Sequence, residues 1–173
     1  LIIVTMIQQI ALLIGGSTGN VIYLLGKAAA ALTSAGIGVG VAVKYGESPL
    51  VTVSAAVAAM VGGYAGKITG GTFFVDGNAV LAGPGEPLGA FIAAFAGITC
   101  GHLVSGKTKV DIIVTPVITI GAGSVVGLLV GPPISQMMTG LGSIINWATE
   151  QRPFIMGIVV SVVMGMVLTL PIS

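Results

Sequence analysis

Four polar side chains stand out as candidates for chemistry in this chain: Glu86, His102, Asn146 and Glu150. Carboxylates, amides and imidazoles accept and donate hydrogen bonds, so these residues suit the binding of a polar ligand better than covalent catalysis. The sequence contains no hydrolase, kinase, P-loop or metal pattern, and we predict no catalytic residue. His102 has no second His, Cys or carboxylate at ligand spacing, so we expect neither a metal nor a cofactor.

Glu86 lies in the most informative loop, "LAGPGEPLGAF", residues 81–91. Glycines and prolines at positions 83, 84, 85 and 87 force irregular backbone immediately before an apolar segment. Glu86 then stands beside a helix N-terminus, where the helix dipole favours an anion. Two interpretations follow: Glu86 caps the helix, or it supplies a carboxylate at membrane depth that binds hydroxyl groups.

The other candidates also have two interpretations each. His102 falls in the last turn of its predicted helix, where it would bond terminal carbonyls or line a permeation path. Asn146 and Glu150 belong to "NWATEQRP", which with Arg152 is either a surface group or a set of donors and acceptors for a polyhydroxylated ligand. Asp111 follows Thr108 at capping-box spacing and is expected to cap the next helix.

Composition decides which elements position these residues. Of the 173 residues, 55% are hydrophobic and only 6% are charged, and the mean hydropathy is +1.12. Because a soluble domain usually carries about 25% charged residues, the chain must be an integral membrane protein. Long apolar runs without alternation favour helices over a barrel. The net charge of +1 gives no basic face for nucleic acid, and a single cysteine excludes an internal disulfide.

Charges and prolines divide the chain into five predicted spans, with a possible sixth up to about residue 25. The spans cover residues 28–43, 49–66, 87–105, 110–130 and 153–170. Glycines recur four apart, as at 97 and 101 and at 123, 127 and 131. Such spacing lets helix backbones approach closely, and some glycines would also permit bending or sliding. We therefore predict one all-α transmembrane domain over residues 1–173, a bundle of five to six glycine-rich helices.

Residues 131–152 form a distinct, half-polar segment within that domain. Pro132 and Pro133 predict a sharp helix start, because proline is tolerated in a first turn and disfavours helix before it. Apolar residues then recur at helical spacing on one face, and Trp147 suits the headgroup zone. We expect an amphipathic helix that lies in the membrane interface or re-enters the membrane to line a cavity.

Three stretches carry a family resemblance: "GPGEPLGAFIAA", "LVSGKTKVDIIVTPVITI" and "VGPPISQMMTGLGSIINWATEQRPF". They resemble the EIIC-type membrane proteins of the bacterial phosphotransferase system, and are nearest to a divergent EIIC-like branch. The resemblance implies a multi-pass protein of the bacterial inner membrane, working as a homodimer with an EIIB partner that passes phosphate to a bound sugar. Members of the family are longer, so we expect this chain to be part of one. The resemblance implies enzymatic activity only within a sugar phosphotransferase complex that includes EIIB.

Two functions remain open from the sequence. The first is a permease subunit that translocates a sugar or similar small polar solute, with binding through Glu86, His102, Asn146 and Glu150. The second is a membrane regulator or receptor that binds a ligand on an EIIC-like scaffold without transport. The two functions place different requirements on the carboxylates. A permease needs Glu86 or Glu150 to face a shared cavity, whereas a regulator could leave both as helix caps.

Overall fold

The computed structural model describes residues 2–75, 78–79, 83, 85–149 and 153–169. Seven helices lie within these residues. Two antiparallel strands of two residues each, β1 (Phe74–Val75) and β2 (Asn78–Ala79), lie between the fourth helix and the fifth. The architecture is that of an all-α membrane protein, as the composition predicts. The helices are α1 (Ile2–Ile14), α2 (Gly16–Ala31), α3 (Thr33–Lys44), α4 (Pro49–Thr69), α5 (Pro87–Val104), α6 (Asp111–Thr149) and α7 (Pro153–Thr169).

The core of the bundle consists of α4, α5 and α6 packed against one another, with α3 lying on α4 and α5. A hydrogen bond of 3.1 Å between the hydroxyls of Ser48 and Ser105 places the start of α4 beside the end of α5, so the two helices run antiparallel. The core side chains are mostly alanine, which keeps the helix axes close together. The buried cluster comprises Ala42, Val51, Ala55, Ala59, Ala90, Ala94 and Ile98.

A stripe of small residues at every fourth position of α6 forms the contact with α4 and α5. A Cβ on Gly97 of α5 would lie 2.7 Å from the carbonyl oxygen of Thr119, and one on Gly123 would lie 2.7 Å from that of Ala93. Real Cβ atoms do not approach so closely, so glycine is required at both positions. The close backbone packing predicted from the glycine spacing is confirmed here. The stripe consists of Thr119, Gly123, Gly127, Gly131 and Ser135.

The helix α6 runs without interruption for 39 residues, with Pro116, Pro132 and Pro133 inside it. The prediction that a separate helix begins at Pro132–Pro133 is therefore wrong. Proline removes a backbone N–H, but membrane helices tolerate this where neighbouring elements pack against the freed groups. Here Gly131 packs directly on Ala65 of α4, which holds this part of α6 in place. That residues 131–152 lie in the interface or re-enter the membrane stays a prediction, and residues 150–152 lie outside the described part.

The predicted span over residues 28–43 also has different bounds in the structure. The helix begins at Gly16, and α2 and α3 are bent by 43° at Leu32. The prediction used Lys27 as a boundary, but Lys27 lies within α2 with its Nζ 5.7 Å from the centre of the Tyr23 ring. A lysine can remain in an apolar helix when its aliphatic stem lies along the surface and its ammonium group reaches more polar surroundings.

Length and composition support three membrane-crossing helices among the described residues, namely α4, α5 and α6, or four if the bent pair α2–α3 counts as one span. The prediction of five to six spans also counts the segments that form α1 and α7. These two helices are apolar but have 13 and 17 residues. A full crossing usually needs about 20 residues.

Candidate functional site

The loop that contains Glu86 is pressed against α4 and α3. The backbone N–H of Glu86 donates a hydrogen bond of 2.7 Å to the carbonyl oxygen of Gly63, which lies inside α4. Gly85 has φ +71°, a left-handed conformation that favours glycine. A Cβ there would lie 2.6 Å from the hydroxyl oxygen of Ser34 on α3. The sequence therefore needs Gly85 both for the turn and for the close approach.

This contact sets the loop back from the end of the bundle. Gly63 precedes the last residue of α4, Thr69, by six positions, which corresponds to about 9 Å along a helix. The hydroxyl of Tyr64 donates a hydrogen bond to the carbonyl oxygen of Gly83 and so holds the loop at the same depth. The polar backbone of the loop therefore lies below the rim formed by the end of α4.

The Glu86 carboxylate lies near Gly66 of α4 and does not cap its own helix. Glu86 occupies the N-cap position of α5, but its side chain makes no capping hydrogen bond. One carboxylate oxygen would lie 3.7 Å from a Cβ on Gly66, and the Ser135 hydroxyl would lie 2.6 Å from the same point. The missing side chain at Gly66 thus leaves room for a carboxylate and a hydroxyl from different elements to converge.

A cavity of about 380 Å³ opens beside this convergence, within the range of roughly 300–1,000 Å³ typical of small-molecule sites. Its polar groups are neutral: the hydroxyls of Thr69 and Ser135 and the amide of Gln136. The Thr69 hydroxyl donates to the carbonyl oxygen of Ala65 and keeps lone pairs for a ligand. The Glu86 carboxylate comes near the cavity at Gly66, one of the lining residues, and the hydroxyl and amide groups can both donate and accept hydrogen bonds. The lining residues are Gly66, Thr69, Gly70, Pro132, Ser135 and Gln136.

His102 lies at the opposite end of α5 from Glu86. The two residues are sixteen positions apart, which corresponds to about 24 Å along the helix. Its Nδ1 is 2.9 Å from a carboxylate oxygen of Glu47, so it pairs with a carboxylate and not with terminal carbonyls. The His102 side chain is 72% exposed, whereas that of Glu47 is 7% exposed. The structure therefore does not bring His102 and Glu86 into one site.

Glu47 is the residue that sequence reasoning missed. It precedes Ser48, the N-cap of α4, in the short turn "KYGESP" between two apolar segments. A charged residue in such a turn usually faces water, and only the packing of α5 against α3 and α4 shows that this one is buried. Its contact with His102 joins positions 55 residues apart, which no local pattern reveals.

The two remaining candidates are distant from the cavity or outside the described residues. Asn146 is on the exposed end of α6, eleven residues and about 16 Å beyond Ser135. Glu150 lies outside the described part of the chain, so its role stays a prediction. Asp111 begins α6 and accepts a hydrogen bond from the Thr115 hydroxyl, which agrees with a structural role at the helix start. Among the described residues, no group of three His, Cys, Asp or Glu could hold a metal ion.

Comparison with known proteins gives one match, and it covers the whole chain. The family model described as "Phosphotransferase system, EIIC" matches residues 1–173. No curated protein and no solved structure matches the chain. The long apolar helices agree with the family assignment, since EIIC is the membrane component that works with an EIIB partner. The chain therefore belongs to the EIIC family of the phosphotransferase system and is a multi-pass membrane component of that transport system.

Proposed function

We propose that the chain binds and translocates a sugar or a similar small polar solute through the cavity beside Glu86. The observation that carries this proposal is the orientation of the Glu86 carboxylate, which makes no capping bond and shares the space above Gly66 with the Ser135 hydroxyl. A carboxylate that only stabilised α5 would bond the free N–H groups of that helix. Its position therefore favours a permease over a regulator that leaves Glu86 as a cap.

The chemistry of the cavity suits a neutral polyhydroxylated solute. A carboxylate accepts hydrogen bonds from two adjacent hydroxyls, and hydroxyl and amide side chains adapt as donors or acceptors. Such charge-assisted bonds are about twice as strong as neutral ones. An anionic solute would be repelled by Glu86. Phosphate transfer to the bound solute would come from EIIB, and a homodimer is the assembly that we propose for transport.

Solute binding tests the proposal directly. Thermal stabilisation of the purified full-length protein by a panel of sugars should reveal a ligand, and Glu86→Gln should abolish the stabilisation. Glu150→Gln should be measured in parallel, because Glu150 is the other predicted carboxylate. Asp111→Asn is the matched control: it removes one negative charge at the other end of the bundle and keeps an acceptor for Thr115.

The outcomes separate the two functions. A sugar that stabilises the wild type and Asp111→Asn but not Glu86→Gln supports the permease. If Glu150→Gln alone loses the effect, the binding carboxylate is Glu150 and our site is wrong. If no sugar stabilises a well-folded sample, the regulator or receptor becomes the better interpretation.

A further inference from the structure

A second cavity, of about 280 Å³, lies at the end of the bundle opposite Glu86. Its walls come from the turn after α3 and from the last three turns of α5, and they are mostly apolar. The Glu47 carboxylate and the His102 ring are its main polar groups. The residues that matter here are Tyr45, Glu47, Phe95, His102 and Leu103.

The Glu47 carboxylate is suited to receive a cationic donor. Its side chain is 7% exposed, and His102 contacts one of its two oxygens. A carboxylate has about four acceptor positions, and the His102 contact occupies one of them. A buried charge is costly unless it is paired and hydrogen-bonded, and an ammonium group would meet both needs. The nearby Thr99 hydroxyl already donates to the carbonyl oxygen of Phe95.

The walls of the cavity also favour an ammonium group, attached to an apolar body. The rings of Tyr45 and Phe95 form a tilted pair with centres 5.9 Å apart, and aromatic faces attract cations. Phe95 and Leu103 are 44% and 61% exposed on the outer surface of the bundle. They continue the apolar outer face of a membrane-crossing helix, where acyl chains lie.

Three exposed lysines lie at the same end of the bundle as this cavity, together with Asp111 at the start of α6. Lys44 ends α3 next to Tyr45, and it is exposed. The bond between Ser48 and Ser105 holds the following turn, with exposed Lys107 and Lys109, at this end as well. Lysines at the ends of membrane helices attract lipid phosphate. One buried carboxylate and three exposed lysines thus complement a zwitterionic headgroup.

We propose that this cavity binds a phospholipid whose headgroup carries a primary ammonium, as in phosphatidylethanolamine. The ammonium group donates to Glu47 against the ring of Tyr45, and the phosphate lies towards the lysines. One acyl chain follows Phe95 and Leu103 along α5. This proposal does not depend on the solute site, because the two cavities lie at opposite ends of the bundle.

Lipid retention by the full-length protein tests the proposal. Native mass spectrometry would count bound phosphatidylethanolamine, phosphatidylcholine and phosphatidylglycerol with identical acyl chains. We expect phosphatidylethanolamine to bind about tenfold more tightly than phosphatidylcholine, since a quaternary ammonium cannot donate the charge-assisted bond. Glu47→Gln should make the two lipids bind alike. Asp111→Asn, which removes a negative charge at the same end, should keep the preference.

Three results would overturn the proposal. The wild type binds the three lipids equally, it prefers phosphatidylglycerol, or the preference for phosphatidylethanolamine survives in Glu47→Gln. Equal binding would also be the result if another protein segment or a second copy of the chain covered the cavity. The wild-type series decides the matter alone if Glu47→Gln does not fold.

Discussion

The backbone N–H of Glu86 lies 2.7 Å from the carbonyl oxygen of Gly63, so a loop residue is hydrogen-bonded to the interior of a membrane helix. Irregular backbone at membrane depth is tolerated only where protein or a water-filled cavity surrounds it. This bond fixes the Glu86 backbone. The missing side chain at Gly63 leaves room for Ser34, on which Gly85 also packs, and the one at Gly66 leaves room for Ser135 near the Glu86 carboxylate. The candidate site therefore depends on glycines as much as on polar residues.

Filling the space at Gly66 should impair solute binding more than folding. In Gly66→Ala the new methyl group would lie 2.6 Å from the Ser135 hydroxyl oxygen, 2.8 Å from the Ser135 Cβ and 3.7 Å from a Glu86 carboxylate oxygen. We expect sugar affinity to fall at least tenfold while the variant remains folded, as measured by sugar titration and gel filtration. Gly140→Ala, on α6 with no atom within 4 Å of the new methyl, is the control. Equal loss of affinity in both variants would argue against the site.

The contact between α4 and α5 should be intolerant of a single methyl group at Gly62. A Cβ there would lie 2.5 Å from the carbonyl oxygen of Gly89, a backbone atom that cannot rotate away. We expect Gly62→Ala to lower the free energy of unfolding by about 1–3 kcal/mol, the usual cost of overpacking. Gly121→Ala, where nothing lies within 4 Å, should leave it unchanged or slightly raised. Reversible unfolding in mixed micelles measures both, and similar values for the two would contradict the packing described.

The continuity of α6 through its prolines predicts a specific distance. Val125 and Met137 are exposed residues on either side of Pro132–Pro133. Twelve residues of helix separate their Cα atoms by about 18 Å. Spin labels at these positions, after replacement of Cys100, should report that separation in pulsed or continuous-wave EPR. A clearly shorter distance would show that the segment turns back at the prolines, as the sequence pattern had suggested.

Ser48 should contribute more to stability than its partner Ser105. The Ser48 hydroxyl accepts a hydrogen bond from the N–H of Val51 at the start of α4 and also bonds the Ser105 hydroxyl. We expect Ser48→Ala to cost about 0.5–2 kcal/mol, as for other N-caps. Ser105→Ala loses only the bond between hydroxyls and should cost about 0.5–1.5 kcal/mol. Unfolding of both single variants and the double variant separates the two terms. A larger loss for Ser105→Ala would contradict the capping role.

The sequence predicted α4, α5 and α7 to within a few residues because prolines 49, 87 and 153 mark their first positions. Proline has no N–H and a helical φ, so it starts helices reliably. The same rule misled us at Pro132–Pro133, where packing of Gly131 on α4 outweighs the local preference. The bend at Leu32 has neither glycine nor proline at its centre, and no local pattern predicted it.

The candidate site also has parts that could be predicted from the sequence and parts that could not. Glu86 could be predicted because the loop glycines and prolines mark irregular backbone before a span. The participation of Ser135 could not, since it depends on how far α6 continues as a helix and on the missing side chain at Gly66. The pairing of Glu47 with His102 also depends on tertiary packing, and it assigns His102 to the opposite end of the bundle.

The stripe of small residues at every fourth position of α6 restricts how this helix can move against α4 and α5. Four residues of helix rise about 6 Å and turn about 40° beyond a full circle, so the stripe winds around α6. It accordingly meets α5 through Thr119, both α4 and α5 through Gly127, and α4 through Ser135. A screw motion of α6 by four residues would return a small residue to most of these places, whereas advancing it by two residues would bring Val117, Val125 and Leu129 into them. The contact surface therefore permits displacements of α6 in discrete steps of about 6 Å and resists intermediate displacements.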